Sequence, residues 1–291
     1  MDSQVSLTID LPQPFDLVSS LESGQAFRWH LLGDWRYGVV SGRLVALKQD
    51  GCELHVRAAS EPEVVAADVR DYLRIDDDME AVYARIGTDD QLAKSIAAYR
   101  GMRILRQDPW ECLVAFICSA NSNIPRISDN MNSIASSMGE PLLLDDYQGF
   151  TFPSPQRLAQ AGEQELRRLR LGFRAKYVAR AAELAASGEF DVASLRRVAY
   201  EEAKDVLTAL PGVGEKVADC VLLMSLDKPK AFPVDRWIRR AVEEWYLDGA
   251  KLNYNGVREW SWERWGDMAG YANQYLFQLR RLMAAGPRVD S

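Results

Sequence analysis

Residues 210–220, LPGVGEKVADC, constrain the fold of this chain more than any other stretch. Pro211, Gly212 and Gly214 interrupt an apolar helical pattern that ends at Leu210, and glycine can adopt the positive φ angles of a tight turn. Helical spacing resumes in KVADCVLLMSL directly afterwards. The sequence therefore predicts two helices joined by a sharp turn.

The start of the second helix is predicted to bind an anion such as a phosphate. The first N–H groups of a helix have no partner within it, and the helix dipole is positive there. These groups belong to Gly212, Val213, Gly214 and Glu215. No Gly-Lys-Ser/Thr follows the turn, so the segment does not match a nucleotide-binding P-loop.

Three chemically useful side chains lie in or after this segment. Lys216 stands in the first helical turn, where the positive end of the dipole favours a neutral, nucleophilic amine. Cys220 follows on the same helix face. Asp235 comes fifteen residues later, in FPVDRWIRR, where it can hold or deprotonate an amine. Taken singly, a solvated lysine, a packed cysteine and an N-capping aspartate are the better interpretations.

Together, the turn, the lysine, the cysteine and the Pro-Val-Asp sequence closely resemble the helix-hairpin-helix DNA glycosylases with a Gly/Pro-Asp loop. In that superfamily a lysine at this position marks the bifunctional members, which form a Schiff base. The segments VADC and LDKPKAFPVD are similar to the 8-oxoguanine DNA glycosylase branch. The resemblance implies that Lys216 attacks the sugar, that Asp235 stabilises the charge formed there, and that Cys220 lines the base pocket.

Composition excludes several other kinds of site. The chain has four cysteines without a CxxC pair, which argues against a zinc site, an iron–sulfur cluster or a disulfide scaffold, so we expect no cofactor. It has only two histidines, so metal or triad chemistry built on histidine is not expected. No apolar run approaches the roughly 18 residues that span a bilayer, and no signal peptide is evident. We expect an intracellular protein that does not bind membranes.

A net charge of −7 is unfavourable for binding nucleic acid, but the negative charge is concentrated in one segment of the chain. Residues 61–90 hold ten acidic residues and three arginines, which account for all of it. Residues 166–180, LRRLRLGFRAKYVAR, carry six basic residues and no acidic one. That segment can attract phosphates, although arginine-rich helix faces are more often merely solvated.

The patterns predict an α+β fold. Five short strand-like segments occur before residue 60, namely VSLTI, AFRWHLL, WRYGVV, RLVALK and CELHV, and they favour an antiparallel sheet. A helix is predicted from Glu61 to Leu73, followed by an acidic connection. From residue 89 onward nearly everything has helical spacing. We expect an N-terminal antiparallel sheet domain (residues 1–88, including an acidic helical linker) packed on a two-lobed helical region (residues 89–291), with the hairpin and Asp235 within residues 203–246.

The segment Ser-Gly-Gln-Ala-Phe-Arg-Trp, residues 23–29, resembles a signature of the 8-oxoguanine glycosylases. In that family the glycine carbonyl accepts a hydrogen bond from N7–H, a proton that the oxidised base carries and guanine lacks. The resemblance gives Gly24 this role, whereas a simple turn glycine is the usual interpretation. A buried acceptor that meets an N–H in one base and a lone pair in the other can discriminate strongly between them.

Two further segments resemble the elements with which the family fills the gap left by a flipped base. CSANSNIPR, residues 118–126, implies that Asn121 and Arg126 bond the orphaned cytosine, although asparagines there can simply cap a helix. Gly-Phe-Arg, residues 172–174, implies that Phe173 wedges beside the cytosine and that Arg174 bonds it. Such contacts offset the stacking and pairing that base flipping disrupts.

The C-terminal aromatic stretch is expected to be mainly core, but GYANQYLF, residues 270–277, resembles the family's base-reading helix. Phe277 matches the residue that stacks on the base. The family's glutamine, which reads the Watson–Crick edge, is Asn273 here, and Gln274 is displaced by about 100° around the helix. Which of the two reads the base stays open.

The resemblance as a whole implies a bifunctional glycosylase and AP lyase that excises 8-oxoguanine from double-stranded DNA, acting as a monomer. It also implies a cation on the carbonyl oxygens of Thr208, Leu210 and Val213. Alternatives are a related glycosylase for another oxidised base, a non-catalytic DNA-binding protein, and an RNA-binding or scaffold protein. The first would share Lys216 and Asp235 but have no need for the SGQAFRW segment and Phe277. The second would keep the hairpin glycines and need neither Lys216 nor Asp235. The third would need neither a damage pocket nor the Asn121/Arg126 pair.

Overall fold

Alternating apolar residues near the N-terminus form a five-stranded antiparallel sheet in the computed structural model, which describes residues 4–11 and 13–285. The strand order is β1-β5-β4-β3-β2. The strands are β1 (Gln4–Asp10), β2 (His30–Leu32), β3 (Trp35–Val40), β4 (Arg43–Asp50) and β5 (Glu53–Ala59). Short turns join β2 to β5 in sequence order, whereas β1 pairs with β5.

The sheet is covered on both faces. Val45 and Leu47 of β4 belong to an apolar cluster with the helices α1 (Leu17–Glu22) and α2 (Pro62–Leu73). Leu44 and Ala46 point to the other face, where they meet Leu144. Leu144 lies in a small hairpin formed by β6 (Pro141–Leu144) and β7 (Tyr147–Phe150). Burial on both faces explains why β4 is apolar at four successive positions.

The remainder of the described chain is chiefly helical. Its helices are α3 (Met79–Ile86), α4 (Asp90–Ala98), α5 (Pro109–Cys118), α6 (Ile124–Met138), α7 (Pro155–Arg168), α8 (Ala175–Ala186), α9 (Tyr200–Thr208), α10 (Glu215–Ser225), α11 (Arg236–Tyr246), α12 (Tyr254–Trp265) and α13 (Ala269–Ala285). Short 3₁₀ turns occur at residues 172–174, 193–197 and 266–268. Gly162 interrupts α7 with a positive φ of 68°.

The helices α5 and α10 pack against each other at the centre of the helical core. Residues 112–118 of α5 and residues 217–225 of α10 are all buried, so both helices are enclosed on every side. A helix of this kind requires neighbours all round it. The C-terminal end of α5 and the N-terminal end of α10 are therefore held firmly, and the candidate site lies at these ends.

The predicted α+β class is confirmed, with the antiparallel sheet packed on a helical core, but two local predictions were wrong. Residues 26–29 are not part of a strand, because Arg28 pairs with Glu111 and the Trp29 indole donates to Tyr72. The hairpin β6–β7 lies within the region predicted to be helical, and packing against the sheet stabilises these short strands. The acidic linker, predicted to be helical, contains α3, which is capped by Asp78.

Candidate active site

The predicted turn joins α9 to α10, and only one of its two glycines has a positive φ. Gly212 has a φ of +84°, and a Cβ there would overlap the Tyr177 ring. Gly214 has a φ of −93° and is the N-cap of α10, and a Cβ there would meet no atom within 4 Å. Backbone geometry therefore requires glycine at 212, whereas glycine at 214 leaves the N-terminus of α10 open to an approaching group.

Lys216 lies in the first turn of α10 and is half-buried. Its ammonium group donates to the hydroxyl of Ser119 over 3.1 Å and lies 5.1 Å from the centre of the Phe116 ring. It makes no ion pair with a carboxylate in residues 4–11 or 13–285. Its reactive nitrogen is therefore positioned by the end of α5 without being neutralised by an acid.

Asp235 is the N-cap of α11. One of its oxygens accepts hydrogen bonds of 2.8 Å from the N–H groups of both Trp237 and Ile238. Burial raises the pKa of this carboxyl group, and this effect outweighs the opposing effects of the backbone donors and of Lys216. A carboxylate with a raised pKa is a stronger proton acceptor than a solvated one. The N-cap interpretation and the catalytic one are thus compatible.

These residues line one cleft with a volume of about 780 Å³, where the structure brings together the predicted catalytic and base-pocket residues. The sequence-predicted residues along it are Gly24, Asn121, Arg126, Lys216, Cys220, Asp235, Asn273 and Phe277. Burial raises the pKa of the Cys220 thiol to about 11, so the group is protonated at neutral pH. Gly24 has a φ of +82°, and a Cβ there would lie 2.8 Å from Ile124 and 3.5 Å from Phe277.

The loop that carries Gly24 is held by buried polar side chains. The Gln25 amide donates to the carbonyls of Ser20 and Arg103 and accepts from the N–H of Leu105. From α13, Gln274 donates to the carbonyl of Ser23, directly before Gly24. The backbone around Gly24 is thus fixed from two sides, as presentation of its carbonyl to a ligand requires.

Asn273 and Gln274 both line the cleft, and both are almost fully buried. The Asn273 amide donates to the carbonyl of Pro233 over 3.0 Å. The two amides therefore bind backbone on different sides of the cleft. Asn273 binds the segment that carries Asp235, and Gln274 binds the loop that carries Gly24. The role of Asn273 or Gln274 in reading a base edge stays a prediction.

The four residues predicted to contact the opposite base are placed differently from one another. Asn121 and Arg126 are exposed at the mouth of the cleft, and Asn121 has a φ of 48°. Phe173 is 43% exposed, which is unusual for a large apolar residue and suits a wedge. Arg174 is 1% exposed and donates to the carbonyls of Ala120 and Asn121, so here it supports the loop that carries Asn121. Its contact with a base stays a prediction.

The distribution of ion pairs explains how an acidic chain can present a basic face. Six acids of residues 61–90 pair with arginines, in the pairs Asp68–Arg43, Asp71–Arg106, Asp76–Arg70, Asp77–Arg74, Glu80–Arg100 and Asp89–Arg264. By contrast, Arg126, Arg170, Lys176 and Arg236 are exposed and form no ion pair with any residue that the structure describes. Arg126 and Arg236 line the cleft, and Lys176 lies over the Tyr177 ring that packs on Gly212 of the hairpin, so these cations can meet phosphates there.

Sequence reasoning missed several residues that shape the site. Ser119 and Phe116 position Lys216, and Tyr177 packs on Gly212 and edge-on against Phe173. Ser119 lies within the CSANSNIPR segment and so had a detectable signal. Tyr177 had none, because only the fold brings α8 under the hairpin.

Within residues 4–11 and 13–285, no cluster of three or more His, Cys, Asp or Glu side chains could hold a metal ion. The carbonyls of Thr208, Leu210 and Val213 lie at the C-terminal end of α9 and in the turn, where the negative end of the helix dipole suits a cation. The Leu210 carbonyl also accepts the Val213 N–H. No helix in the described part of the chain is long and apolar enough to cross a membrane.

Two family models match the chain. Residues 8–113 match the 8-oxoguanine DNA glycosylase, N-terminal domain, and residues 114–267 match the HhH-GPD superfamily base excision DNA repair protein. The N-glycosylase/DNA lyase OGG1 of Arabidopsis thaliana is 36% identical over 281 residues, which cover 90% of this chain and 76% of that protein. The N-glycosylase/DNA lyase of Saccharomyces cerevisiae is 29% identical, with 90% and 82% covered.

Solved structures agree with these matches. A structure of MBOgg1 with a low affinity DNA ligand has a TM-score of 0.91 and 35% identity, and covers 96% of each chain. The 8-oxoguanine glycosylase/lyase of Clostridium acetobutylicum, in complex with double-stranded DNA containing cytosine opposite 8-oxoG, has a TM-score of 0.88 and 29% identity, with 94% and 97% covered. The resemblance seen in the motifs is confirmed: the chain belongs to the HhH-GPD superfamily of base excision DNA repair proteins, in the 8-oxoguanine DNA glycosylase branch.

Proposed function

We propose that this protein excises 8-oxoguanine from double-stranded DNA and then nicks the strand, with Lys216 as nucleophile and Asp235 as the assisting carboxylate. The observation that carries the proposal is the meeting of Lys216, Asp235, Gly24 and Phe277 in one cleft. A lysine amine and a carboxylate supply the chemistry, and a glycine carbonyl beside an aromatic ring supplies the recognition of a base. Because the substrate is DNA, we place the enzyme inside the cell.

DNA binding begins at the hairpin and at the mouth of the cleft. The N–H groups at the start of α10, around Gly214 and Glu215, bind a backbone phosphate beside the lesion. Phe173 enters the stack, while Asn121 and Arg126 bond the base left without a partner. A cation on the carbonyls of Thr208, Leu210 and Val213 would add positive charge toward the same phosphate. The flipped base enters the cleft, where Phe277 stacks on its face.

Gly24 supplies the discrimination between the damaged and the normal base. Its carbonyl accepts the N7–H of 8-oxoguanine, whereas guanine presents a lone pair at N7 and would be repelled. Gln25 and Gln274 hold the loop, so the carbonyl cannot turn away without breaking buried hydrogen bonds. The Lys216 ammonium group and the polar Cys220 thiol complement the dipole of the oxidised base.

The chemical steps use the two catalytic residues. The neutral Lys216 amine attacks C1′, and the bond from C1′ to the base breaks with its electron pair on the departing base. Asp235 stabilises the positive charge that develops on the sugar and accepts a proton from the attacking amine. Ring opening gives an imine between Lys216 and C1′. Loss of a proton from C2′ then expels the 3′ phosphate by β-elimination, which cuts the strand.

Borohydride trapping tests the proposal, because reduction of the imine links the enzyme covalently to DNA. We expect an adduct with a duplex that carries 8-oxoguanine opposite cytosine, and none with undamaged guanine or thymine glycol. The adduct should be absent in Lys216→Gln. Trapping on thymine glycol alone would instead indicate a glycosylase for oxidised pyrimidines, and cleavage of undamaged guanine would remove Gly24 from its role.

A further inference from the structure

A buried polar network adjoins the catalytic cleft, around a residue of α10 that lies three positions after Lys216. Its centre is the carboxylate of Asp219, which is fully buried. It accepts hydrogen bonds from the hydroxyls of Tyr200 and Tyr254, both over 2.6 Å, and from the ammonium group of Lys204 over 3.0 Å. Burial raises the pKa of Asp219, and the three donors oppose that shift.

One member of this network also reaches the segment that carries Asp235. The Tyr254 hydroxyl accepts a hydrogen bond of 3.3 Å from the N–H of Val234, the residue directly before Asp235. Val234 is itself buried, so this N–H has no access to bulk water. Tyr254 therefore joins α10, which carries Lys216 and Cys220, to the segment that positions the catalytic carboxylate.

From these contacts we propose that Tyr254, anchored by Asp219, is a positioning residue that fixes the separation of Asp235 from Lys216. The inference rests on the proposed excision reaction. Lys216 and Asp235 come from two different helices and form no direct ion pair among the described residues, so some other contact must set their spacing. The link through Asp219, Tyr254 and Val234 is short and shielded from water, and hydrogen bonds in such surroundings are strong and directional.

The alternative is that the network only stabilises the core, as buried ion pairs commonly do. The chain provides a matched control for that alternative. The Tyr246 hydroxyl donates to Asp89 over 2.9 Å, and Asp89 also pairs with Arg264. Tyr246 thus binds a carboxylate that has a second, cationic partner, as Tyr254 does, but its hydroxyl bonds to Asp89 and not to the backbone beside Asp235.

The experiment compares Tyr254→Phe with Tyr246→Phe in the full-length protein on an 8-oxoguanine duplex. Each variant loses one buried hydroxyl, so both should lower the melting temperature by a similar amount, roughly 2–6 °C. The single-turnover excision rate of Tyr254→Phe should fall about 10-fold or more, because a small displacement of a catalytic group has large effects. Its duplex affinity should stay within about 2-fold, since the hairpin and wedge are intact, and Tyr246→Phe should excise at the wild-type rate.

Hydrogen exchange of residues 232–238 gives a second measurement that does not depend on the rate. Exchange there should rise in Tyr254→Phe and stay unchanged in Tyr246→Phe. A Tyr254→Phe enzyme with the wild-type rate, or equal slowing in both variants, would overturn the inference while leaving the proposed function in place. A wild-type enzyme without excision activity would remove the proposed function, and this inference with it.

Discussion

Two lysine–aspartate pairs each take one member from α10, and they are used in opposite ways. Lys204 is 4% exposed, contacts the carboxylates of Asp219 and Glu215 at 3.0 and 2.7 Å, and is enclosed by aromatic rings. Lys216 is half-buried, contacts the Ser119 hydroxyl, the Phe116 ring and the Cys220 thiol, and has no ion-pair partner in the described chain. The first lysine is neutralised and the second is left available.

The two aspartates differ in the same sense. Asp219 has three side-chain donors, one of them charged, whereas both hydrogen bonds to Asp235 come from backbone N–H groups at a helix end. Burial raises the pKa of both carboxyl groups. A carboxylate without a bound cation keeps its capacity to stabilise positive charge on a substrate. One helix can therefore contribute to a structural ion pair and to a reactive pair only if the cation of each pair is kept away from the carboxylate of the other.

The largest effect is expected from exchanging the available lysine. Lys216→Gln should lower strand cleavage by on the order of 10³-fold or more and abolish borohydride trapping, because the amide cannot form an imine. Lys204→Met should instead destabilise the fold by about 3–5 kcal/mol, since Asp219 keeps a buried charge without its cation. Measured per folded molecule, Lys204→Met should still be trapped on DNA. Efficient trapping of Lys216→Gln would show that a different lysine is the nucleophile.

Replacing each aspartate by asparagine tests the comparison through the pH dependence of stability. Asp235→Asn should slow excision by about 10²-fold or more, because the charge on the sugar loses its partner. Asparagine is an equally good N-cap, so the helix is preserved. The pKa of Asp235 is raised in the folded state, so its contribution to stability is present in acid and is lost as pH rises through that pKa. Asp235→Asn should therefore be at least as stable as wild type at pH 7, and this advantage should vanish in acid.

Thermal unfolding between pH 3 and pH 8 measures this difference directly. Asp219→Asn is the control, because it removes a carboxylate that Lys204 needs and should lower stability at pH 7. If Asp235→Asn were the less stable of the two at neutral pH, the catalytic aspartate would be serving the fold rather than the reaction.

Much of the site could be predicted from the sequence because its residues lie in contiguous motifs. The turn, Lys216, Cys220 and Asp235 occur within residues 210–235, and Gly24 lies in a distinctive heptapeptide. The network around Asp219 could not be predicted, because Tyr254 is 35 residues away and reaches it only when α12 packs on α10. Lys204 gave no signal either, since a single lysine on a helix is ordinarily solvated.

The fold shows the same difference between features set by contiguous sequence and features set by contacts between distant residues. Segments that alternate or run apolar between turn signals predicted β1, β3, β4 and β5. The hairpin β6–β7 was missed, since its strands are four residues long and depend on packing against Leu44. Arg174 was predicted from a motif to contact a base, but its burial depends on the carbonyls of Ala120 and Asn121, which no sequence pattern reveals.

The turn that joins the two lysine-bearing helices provides a smaller test. Gly212→Ala should destabilise the protein by about 2 kcal/mol or more, because φ is positive and the new methyl group meets the Tyr177 ring. Gly214→Ala should leave the melting temperature almost unchanged, since its Cβ has open space. The methyl group would nevertheless occupy the side on which a phosphate approaches, so we expect about 10-fold weaker binding to duplex DNA. Equal DNA affinity in Gly214→Ala and wild type would remove the phosphate from this helix end.

The smallest effect is expected at Asn273, whose amide supports the carbonyl of Pro233 in the segment that carries Asp235. Asn273→Ala should slow single-turnover excision about 3- to 10-fold, because one of the contacts that hold this segment is lost. Asn273→Gln should keep or improve excision, since it restores an amide and extends it into the cleft. Both variants should retain borohydride trapping, because Lys216 is untouched. An Asn273→Ala enzyme with wild-type rates would mean that Tyr254 alone is sufficient to hold the reactive aspartate opposite its lysine.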